Sequence, residues 1–422
     1  MTQFDTAVPR SRSLRRDALV LAAGMAVANA GNYGFNLVMA FLLGPEAYGA
    51  LAALLALVLV GSVPGLALQA VVARRTALAR PGGPASGATW PGTGWLVGRA
   101  GLALALVTLL AGPGLVLFLH LDSAVPVLWL ALALAPTPLL FAVQGLLQGR
   151  ERFGALAAVM VAGAAVKLAI GLVLVAAGLG VSGAMAGVAA GGLLAALAGL
   201  RLAAPTTPRG VDNPASPATR PGVGWWREVG GATTGLLGLF LLANVDVLLA
   251  RHFLDEAAAG RYALGAVVAK IAFWAPQFVI TVVFPRLVGV ADPRRLLAGS
   301  ALLIAGFGGL LAGALAVADR VGLAVPVLGG GYEGLGPLLP LFAALGTGLA
   351  LVQLLLFEGI ATRDRRMGRA VVVALVAEVA LIAGPLHGGV GQVAGAALAV
   401  VATLAVAGWW LLRQRLGRPA VP

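Results

Sequence analysis

The sequence predicts an all-α protein that crosses a membrane about twelve times, and three observations predict this fold class. Of the 422 residues, 60% are hydrophobic and only 11% are charged, and the mean hydropathy is +0.97. Many apolar runs reach the ~20 residues that a helix needs to cross a ~30 Å hydrocarbon core. Arginines cluster between these runs, at every second connection. A soluble domain of this length cannot bury so much apolar surface.

Twelve helices account for the apolar runs, and the distribution of cations supports that number. The predicted helices span residues 18–43, 47–73, 96–119, 124–148, 154–178, 182–202, 229–252, 257–285, 295–318, 335–361, 370–387 and 391–412. With this count, 24 of the 29 lysines and arginines lie on one side of the membrane, whereas Arg251, Arg261 and Arg320 lie on the other. Because positive residues concentrate on the cytoplasmic side, we expect a multi-pass protein of the cytoplasmic (cell) membrane with both termini cytoplasmic. The same bias explains the net charge of +13 without a nucleic-acid partner.

A proline-rich segment divides the chain into two sets of six helices. It lacks helical periodicity and is rich in threonine and arginine, as a linker is. The predicted parts are a cytoplasmic N-terminal segment 1–17, an N-lobe 18–202, a cytoplasmic linker 203–228, a C-lobe 229–412 and a cytoplasmic tail 413–422. The run ALVLAAGMAVANA imitates a secretory signal peptide. Because the apolar run continues to Leu43, we expect it to be the first helix and not a cleaved leader.

The two lobes share a sequence pattern. In the N-lobe, Asn36 leads through FLLGPEAYG to a proline-containing helix that Arg74 follows. In the C-lobe, Asn244 leads through FLDEAAAGRY to a proline-containing helix that Arg286 follows. Secondary transporters are often built from repeated halves, with the substrate site between them. The pattern therefore predicts two pseudo-symmetric six-helix lobes around a central cavity, with chance similarity between glycine-rich apolar helices as the alternative.

Polar side chains inside the predicted helices are candidates for a binding site, because they are costly in a membrane. The candidates are Lys167, Lys270, Asp246, Asn244, Asn32, Asn36, Gln69 and Gln277, with Arg74 and Arg286 at cytoplasmic helix ends. Each asparagine or glutamine has a second interpretation, a plain hydrogen bond between neighbouring helices. Glu358, close to the cytoplasmic arginines, is expected to form an ion pair, and Glu378 is a further carboxylate in the eleventh helix.

The two lysines of the chain differ in their sequence surroundings. Lys270 and Asp246 lie on consecutive helices at depths that differ by roughly 6 Å. They either form a static ion pair or act as a switch in the second lobe. Lys167 has no acidic residue in its own helix or in the adjacent sequence. We therefore expect Lys167 to face a water-filled cavity.

Catalytic and cofactor motifs are missing from the sequence. It has no serine–histidine–aspartate set, HExxH or phosphate-binding loop, and no cysteine for disulfides, thiol catalysis or thiolate metal sites. The three histidines are expected at separate, solvated positions of the outer side. We therefore expect no enzyme, no metal and no cofactor, with transport driven by an ion gradient, of H+ or Na+, or by the gradient of the substrate.

Two stretches of the sequence carry a family resemblance. Residues 32–75, with the asparagine-bearing helix, the LLGPEAYG turn and a proline-interrupted helix ending in arginine, resemble the first two helices of polysaccharide exporters and lipid-linked oligosaccharide flippases. These belong to the multidrug/oligosaccharidyl-lipid/polysaccharide (MOP) superfamily. Residues 239–287, with NVD, AGRYA, a lysine and FPR, are similar to the corresponding pair of the second lobe. Together the two stretches cover about a quarter of the chain.

The resemblance implies a V-shaped pair of lobes that works by alternating access within membrane lipids. It implies a lipid-linked sugar as the partner, carried on undecaprenyl diphosphate and turned from the cytoplasmic to the outer leaflet. Cations in the cavity of several relatives are thought to hold the diphosphate. Lys167 and Lys270 are the matching candidates here, with Arg74 and Arg286 at the cytoplasmic mouth. A diphosphate in low-dielectric surroundings also needs countercharge on physical grounds.

Two other functions remain open from the sequence. An ion-coupled multidrug or small-molecule antiporter of the same superfamily would hold acidic residues in its cavity, and Asp246 and Glu378 are compatible with it. A membrane glycosyltransferase or polysaccharide polymerase would need a sizeable outer loop, whereas the outer segments here are short. Two central lysines favour an anionic cargo over the cargo of a cation antiporter.

Overall fold

The computed structural model describes residues 10–78, 94–204, 223–276, 294–323, 331–362, 364 and 366–416. In these ranges every regular element is helical. The elements are α1 (Arg10–Gly61), α2 (Val63–Leu78), α3 (Gly94–Leu110), α4 (Gly112–Phe118), α5 (Val125–Leu134), α6 (Thr137–Gly149), α7 (Phe153–Leu174), a π turn (Val175–Leu179), α8 (Gly180–Ala203), α9 (Val223–Leu242), α10 (Val245–Phe253), α11 (Glu256–Trp274), α12 (Arg294–Arg320), a 3-10 turn (Gly336–Leu338), α13 (Leu339–Ala361), α14 (Arg366–Ala383) and α15 (Val390–Leu416). The predicted all-α class is confirmed.

Seven helical segments in these ranges are long and apolar enough to cross a membrane, and eight if the bent pair α3 and α4 forms one span. The two members of that pair meet at an angle of 52°. Two of the seven segments, Leu19–Ala77 and Phe153–Ala203, have 59 and 51 residues. Since about 20 helical residues cross the hydrocarbon core, each of these two is long enough for two crossings.

The first long segment bends back at Gly44. Its φ of 71° lies in the left-handed region, which glycine adopts without a steric penalty. The Tyr48 hydroxyl donates a hydrogen bond of 3.2 Å to Asn36 Oδ1. In a straight helix, twelve residues span about 18 Å, so this bond requires the chain to turn between them. The turn separates the predicted helices 18–43 and 47–73, and a further break at Ser62 precedes Pro64 in the first turn of α2.

The second long segment is an antiparallel helical hairpin. Its tip contains Gly178 (φ 88°) and Gly180 (φ 52°). On either side of the tip, glycines let the two backbones approach, as small residues do in membrane helices. A Cβ at Gly191 would lie 2.7 Å from the Gly163 carbonyl oxygen, and a Cβ at Gly187 would lie 2.6 Å from the Gly171 nitrogen. The predicted helices 154–178 and 182–202 are therefore two separate spans.

The C-terminal half also follows the predicted runs. Predicted helix 229–252 is interrupted between α9 and α10, at Asn244. Predicted helix 257–285 corresponds to α11 in its first part, and its residues 277–285 lie outside the described residues. Asp255 caps α11 by accepting a bond of 2.7 Å from the Ala258 N–H. The last four predicted helices correspond to α12, α13, α14 and α15.

The chain divides into two compact units. The first unit comprises Met1–Phe35, Gly61–Gly112 and Val125–Thr233. The second comprises Asn36–Val60, Pro113–Ala124 and Thr234–Pro422, and so includes the turn at Gly44 and the end of α4. The lobe boundaries proposed from the sequence, 18–202 and 229–412, remain a prediction.

Candidate functional site

In the first unit, Lys167 forms the polar centre of the predicted site. Its ammonium donates a hydrogen bond of 2.5 Å to Asn32 Oδ1. The same nitrogen lies 4.6 Å from the centroid of the Phe35 ring, over its face, in a cation–π arrangement. The lysine is half-buried. Its described partners are therefore a neutral amide and an aromatic face, and neither of them cancels the positive charge.

Small residues position this lysine against α1 and α8. A Cβ at Gly31 would lie 3.3 Å from Ala164 Cβ, so α1 and α7 approach closely one helical turn before the lysine. On the other side of α7, a Cβ at Gly191 would lie 2.9 Å from Lys167 Cβ, and one at Gly187 would lie 2.7 Å from its carbonyl oxygen. The stem of Lys167 is thus held between two helices, and its ammonium is directed to Asn32.

The other site candidates from the first half of the sequence do not contact Lys167 in the contacts described here. Asn36 accepts from Tyr48, as described above, although it shares a helix with Asn32. Gln69 donates a bond of 3.2 Å from Nε2 to Gln148 Oε1, which joins α2 to α6. Arg74 is exposed near the end of α2. The last two candidates, Gln277 and Arg286, lie outside the described residues.

In the second unit, Asp246 is the centre of a buried acidic cluster. Its Oδ2 accepts a hydrogen bond of 2.7 Å from the Tyr262 hydroxyl on α11. Lys270 and Glu378 both interact electrostatically with Asp246. Helix α10, which carries Asp246, packs on both α11 and α14. We call Asp246, Tyr262, Lys270 and Glu378 the acidic cluster.

Several oxygens at this cluster lack hydrogen-bond donors. Both carboxyl oxygens of Glu378, which is 0% exposed, and Oδ1 of Asp246 have no hydrogen-bond partner among the described residues. Oδ1 of Asn244 also has no partner among the described residues, whereas the Nδ2 of this residue donates a bond of 2.8 Å to the Phe240 carbonyl oxygen. Buried polar groups are normally paired. These four acceptors without donors are therefore unusual.

The break in the seventh predicted helix contributes to this cluster. Asn244 has a φ of −140° and stands at the N-terminus of α10, and Asp246 lies in the first turn. Helix N-termini carry a partial positive charge that stabilises a carboxylate there. Discontinuous helices that coordinate ions are typical of secondary transporters. The sequence had pointed to Glu378 only as a lone carboxylate in an apolar run, compatible with an antiporter, and had not placed it beside Asp246.

Arg251 is a functional candidate that the sequence did not single out. It is buried, and it donates to the carbonyl oxygens of Leu119 (2.9 Å), His120 (3.1 Å) and Glu46 (3.3 Å). A bond of 3.0 Å to Glu256 Oε1 completes the set. We call these five residues the Arg251 cluster. It joins the turn after Gly44 and the end of α4, both from the first half of the sequence, to the α10–α11 hairpin.

The three histidines come from separate helix ends, as expected, but they lie close together, and of the three only His120 is exposed. His252 stacks on Phe118 with ring centroids 4.4 Å apart and on His120 at 5.3 Å. Phe253 contacts His252 at 4.7 Å and stacks on His387 at 4.9 Å. The Nδ1 of His252 lies 2.9 Å from the Phe118 carbonyl oxygen, which can only accept, so this nitrogen carries the proton. The histidines thus lie in one aromatic stack beside Arg251.

The expected ion pair of Glu358 is present with a partner from another helix. The Glu358 carboxyl on α13 pairs with the Arg415 guanidinium on α15. Arg415 also donates to the Thr362 hydroxyl. The sequence had placed Glu358 beside the arginines that follow it directly. The actual partner is 57 residues away, which no local pattern predicts.

Solved structures of MOP superfamily transporters share this fold. An inward-facing multidrug resistance transporter of the MATE family is 13% identical, with a TM-score of 0.67 over 94% of this chain and 98% of that chain. Lipid II flippase MurJ, in an inward closed conformation, is 10% identical, with a TM-score of 0.71 over 94% and 87%. The Vibrio cholerae MATE transporter VcmN in its bent form is 16% identical, with a TM-score of 0.58 over 96% and 97%.

No protein-family model matches the chain, and no curated protein sequence does. At identities this low, the likeness concerns the fold and not the substrate. The apolar helices and the structural neighbours together show that the chain is a multi-pass membrane protein with the fold of MOP superfamily transporters.

Proposed function

We propose that the chain is a membrane transporter that flips an anionic, lipid-linked saccharide, carried on undecaprenyl diphosphate, across the cytoplasmic membrane. Lys167 is the observation that carries this proposal. Its charge lies within a membrane-spanning helix, half-buried, against an amide oxygen and an aromatic ring. A lysine inside a membrane helix is costly, and charged residues there usually have a functional role. One transporter with this fold is, by its name, a flippase of lipid II.

The hydrogen bond to Asn32 suits a ligand-exchange role. A neutral amide oxygen keeps the ammonium oriented while the site is empty. A phosphate oxygen forms a charge-assisted bond, which is roughly twice as strong as a neutral one, so the diphosphate displaces Asn32 from the ammonium. Since lysine is a compact charge on a flexible stem, it follows the phosphate over a short distance. Lys270 is the corresponding cation of the C-lobe in this proposal.

The acidic cluster is the proposed coupling site. The unpaired oxygens of Asp246 and Glu378, with that of the nearby Asn244, are suited to bind H+ or Na+. Charging both buried carboxyls is unfavourable, and Lys270 provides only one positive charge, so the second carboxyl requires a proton or a cation. An ion that binds at Asp246 changes the charge seen by Lys270, because the lysine interacts with the same carboxylate. Ion binding and phosphate binding by Lys270 would thereby be coupled.

Alternating access requires the two sides to open in turn, and the Arg251 cluster is the proposed closure of the outer side. It connects segments from both halves of the sequence at ends that the positive-inside rule assigns to the outer face. Breaking its three bonds to carbonyl oxygens frees the turn after Gly44 and the end of α4 from the α10–α11 hairpin. The cargo would leave through that opening.

Binding of a lipid diphosphate by charge variants tests the role of Lys167. The purified protein is titrated with polyprenyl diphosphate and with the neutral polyprenol. We expect Lys167→Gln to weaken diphosphate binding at least tenfold, which corresponds to about 1.4 kcal/mol, and to leave polyprenol binding unchanged. Lys167→Arg should retain most of the affinity. Arg99→Gln, a cytoplasmic control, should match the wild type. Unchanged diphosphate affinity in Lys167→Gln would refute the assignment.

An ion-coupled multidrug antiporter is the second candidate function. The buried carboxyls of Asp246 and Glu378 favour it, and several transporters with this fold are multidrug transporters by name. Efflux of an organic cation from proteoliposomes, driven by a proton or sodium gradient, separates the two proposals. Cation efflux that survives Lys167→Gln and stops in Glu378→Gln would favour the antiporter over the flippase.

A further inference from the structure

A groove of about 450 Å³ opens on the second unit between α12 and α15. Both helices pack on α13, which forms its floor with Leu351, Leu354 and Leu355. Ala301 of α12 forms one wall. The other wall comes from α15, and its residues recur at helical spacing on one face: Ala405, Val406, Trp409, Trp410 and Arg413. The small side chains of Ala301 and Ala405 leave the space between the helices unfilled.

The groove is apolar except at one end. Arg413, in the last turn of α15, is the single charged residue among the described residues that line it. The arginine two positions later behaves differently, because Arg415 pairs with Glu358 and bonds to Thr362. The described lining contains no acidic residue. Arg413 therefore provides a positive charge to whatever occupies the groove.

We propose that this groove binds one anionic phospholipid, with an acyl chain along α13 and the phosphate on Arg413. The guanidinium is suited to a phosphodiester, because its planar donors form paired hydrogen bonds to phosphate oxygens. Trp409 and Trp410 stand one turn deeper, where tryptophans contact both the headgroup region and the hydrocarbon. The site does not depend on the transported cargo.

The dimensions of the groove agree with a phospholipid. From Ala405 to Arg413, α15 rises about 12 Å. Half of a hydrocarbon core measures about 15 Å, so the groove covers most of one leaflet. The positive-inside rule assigns the end with Arg413 to the cytoplasmic leaflet, where anionic lipids attract basic residues. A polyprenyl chain is much longer than one leaflet and would leave most of its length outside.

Quenching of tryptophan fluorescence by brominated lipids tests this site. The purified chain is titrated with brominated phosphatidylglycerol or brominated phosphatidylcholine, and a Trp409→Phe/Trp410→Phe variant gives the signal of the other six tryptophans. The difference in quenching between the wild type and this variant measures lipid bound in the groove. Because one basic residue near the surface contributes about 1 kcal/mol to anionic lipid binding, we expect about fivefold tighter binding of phosphatidylglycerol.

Two variants and one competitor decide the assignment. Arg413→Gln should abolish the preference for phosphatidylglycerol, and Arg369→Gln, an exposed cytoplasmic control on α14, should preserve it. Ala405→Phe should weaken quenching by both lipids, because it fills the groove. Equal binding of the two lipids by the wild type, or a preference that survives Arg413→Gln, would overturn the proposal. So would displacement of phosphatidylglycerol by an equal or lower concentration of polyprenyl diphosphate, which would assign the groove to a carrier lipid.

Discussion

Replacing Arg251 with methionine should open the face of the protein that we propose the Arg251 cluster closes. Methionine retains much of the stem of arginine and cannot donate hydrogen bonds. The arginine side chain is only 4% exposed and bonds to three carbonyl oxygens and one carboxylate. The groups that Arg251 contacts lie on separate elements. We therefore expect the substitution to weaken the association of these elements more than the folding of each one.

The size of the effect follows from burial. Hydrogen bonds to charged groups contribute about 1.5–3 kcal/mol each, and a buried acceptor left without its donor costs about 1–3 kcal/mol. The bond to Glu256 adds little, since that side chain is 58% exposed and screened by solvent. A net loss of about 3 kcal/mol shifts the equilibrium between closed and open forms by about 100-fold.

Cysteine labelling measures this shift, because the chain has no cysteine of its own. Leu119→Cys places a thiol at a side chain that is 0% exposed, and it leaves the backbone carbonyl that Arg251 contacts. A membrane-impermeant maleimide should label this thiol about 100-fold faster in Arg251→Met than in the parent. Asp122→Cys, at an exposed position, should be labelled equally in both.

A matched control separates closure from general damage. Arg320→Met removes an exposed arginine from the same predicted side, at the end of α12, and should leave the labelling rate unchanged. If Leu119→Cys reacts at the same rate with and without Arg251, the cluster does not close this face and the reasoning is wrong.

Three further changes give distinct outcomes. Glu378→Gln should raise the melting temperature by a few degrees, because it removes a buried carboxyl without donors, and it should abolish the dependence of transport on an ion gradient. Tyr262→Phe should lower the unfolding free energy by about 1–3 kcal/mol, since Asp246 then loses its donor; chemical denaturation in detergent measures it. Gly191→Leu should lower the unfolding free energy by a similar amount of about 1–3 kcal/mol and displace Lys167, because the new Cβ alone would lie 2.9 Å from the lysine Cβ. Both the melting temperature and the affinity for the diphosphate should fall.

Two of these changes have a matched control variant. Glu333→Gln removes an exposed carboxylate and should preserve ion dependence. Gly395→Leu adds a side chain where a Cβ meets nothing within 4 Å, so it should leave melting and binding close to those of the wild type. Ion dependence that persists in Glu378→Gln would exclude this residue from coupling. A Gly191→Leu protein with normal diphosphate affinity would show that the α7–α8 contact does not position Lys167.

Local sequence patterns predicted most of the helices. Apolar runs of sufficient length located them, because burial in lipid imposes helical hydrogen bonding within each segment. The turn at Gly44 was visible as LLGPEAYG, since a glycine followed by proline interrupts a helix. The lysine inside α7 was identifiable as a site candidate in the same way, because a charge inside an apolar membrane helix is rare, and its role in transport remains a proposal.

Non-local contacts were not predictable from these patterns. Arg251 was counted as one of three outer cations, and only the fold brings the carbonyl oxygens of Leu119 and His120 to it from more than 130 residues away. Glu378 is likewise separated from Asp246 in sequence, and their proximity depends on how α14 packs against α10. Periodicity shows which face of a helix is polar, and it contains no information on which other helix that face meets.

Leaflet-resolved translocation of a lipid-diphosphate sugar in proteoliposomes is the most direct measurement of the proposed function. The wild type should move the labelled lipid between leaflets, and Lys167→Gln should reduce the rate at least tenfold while the protein remains folded and inserted. Lys167→Arg should restore most of the rate, because it returns the positive charge to the same position. Translocation by Lys167→Gln at the wild-type rate would contradict the central role of this lysine.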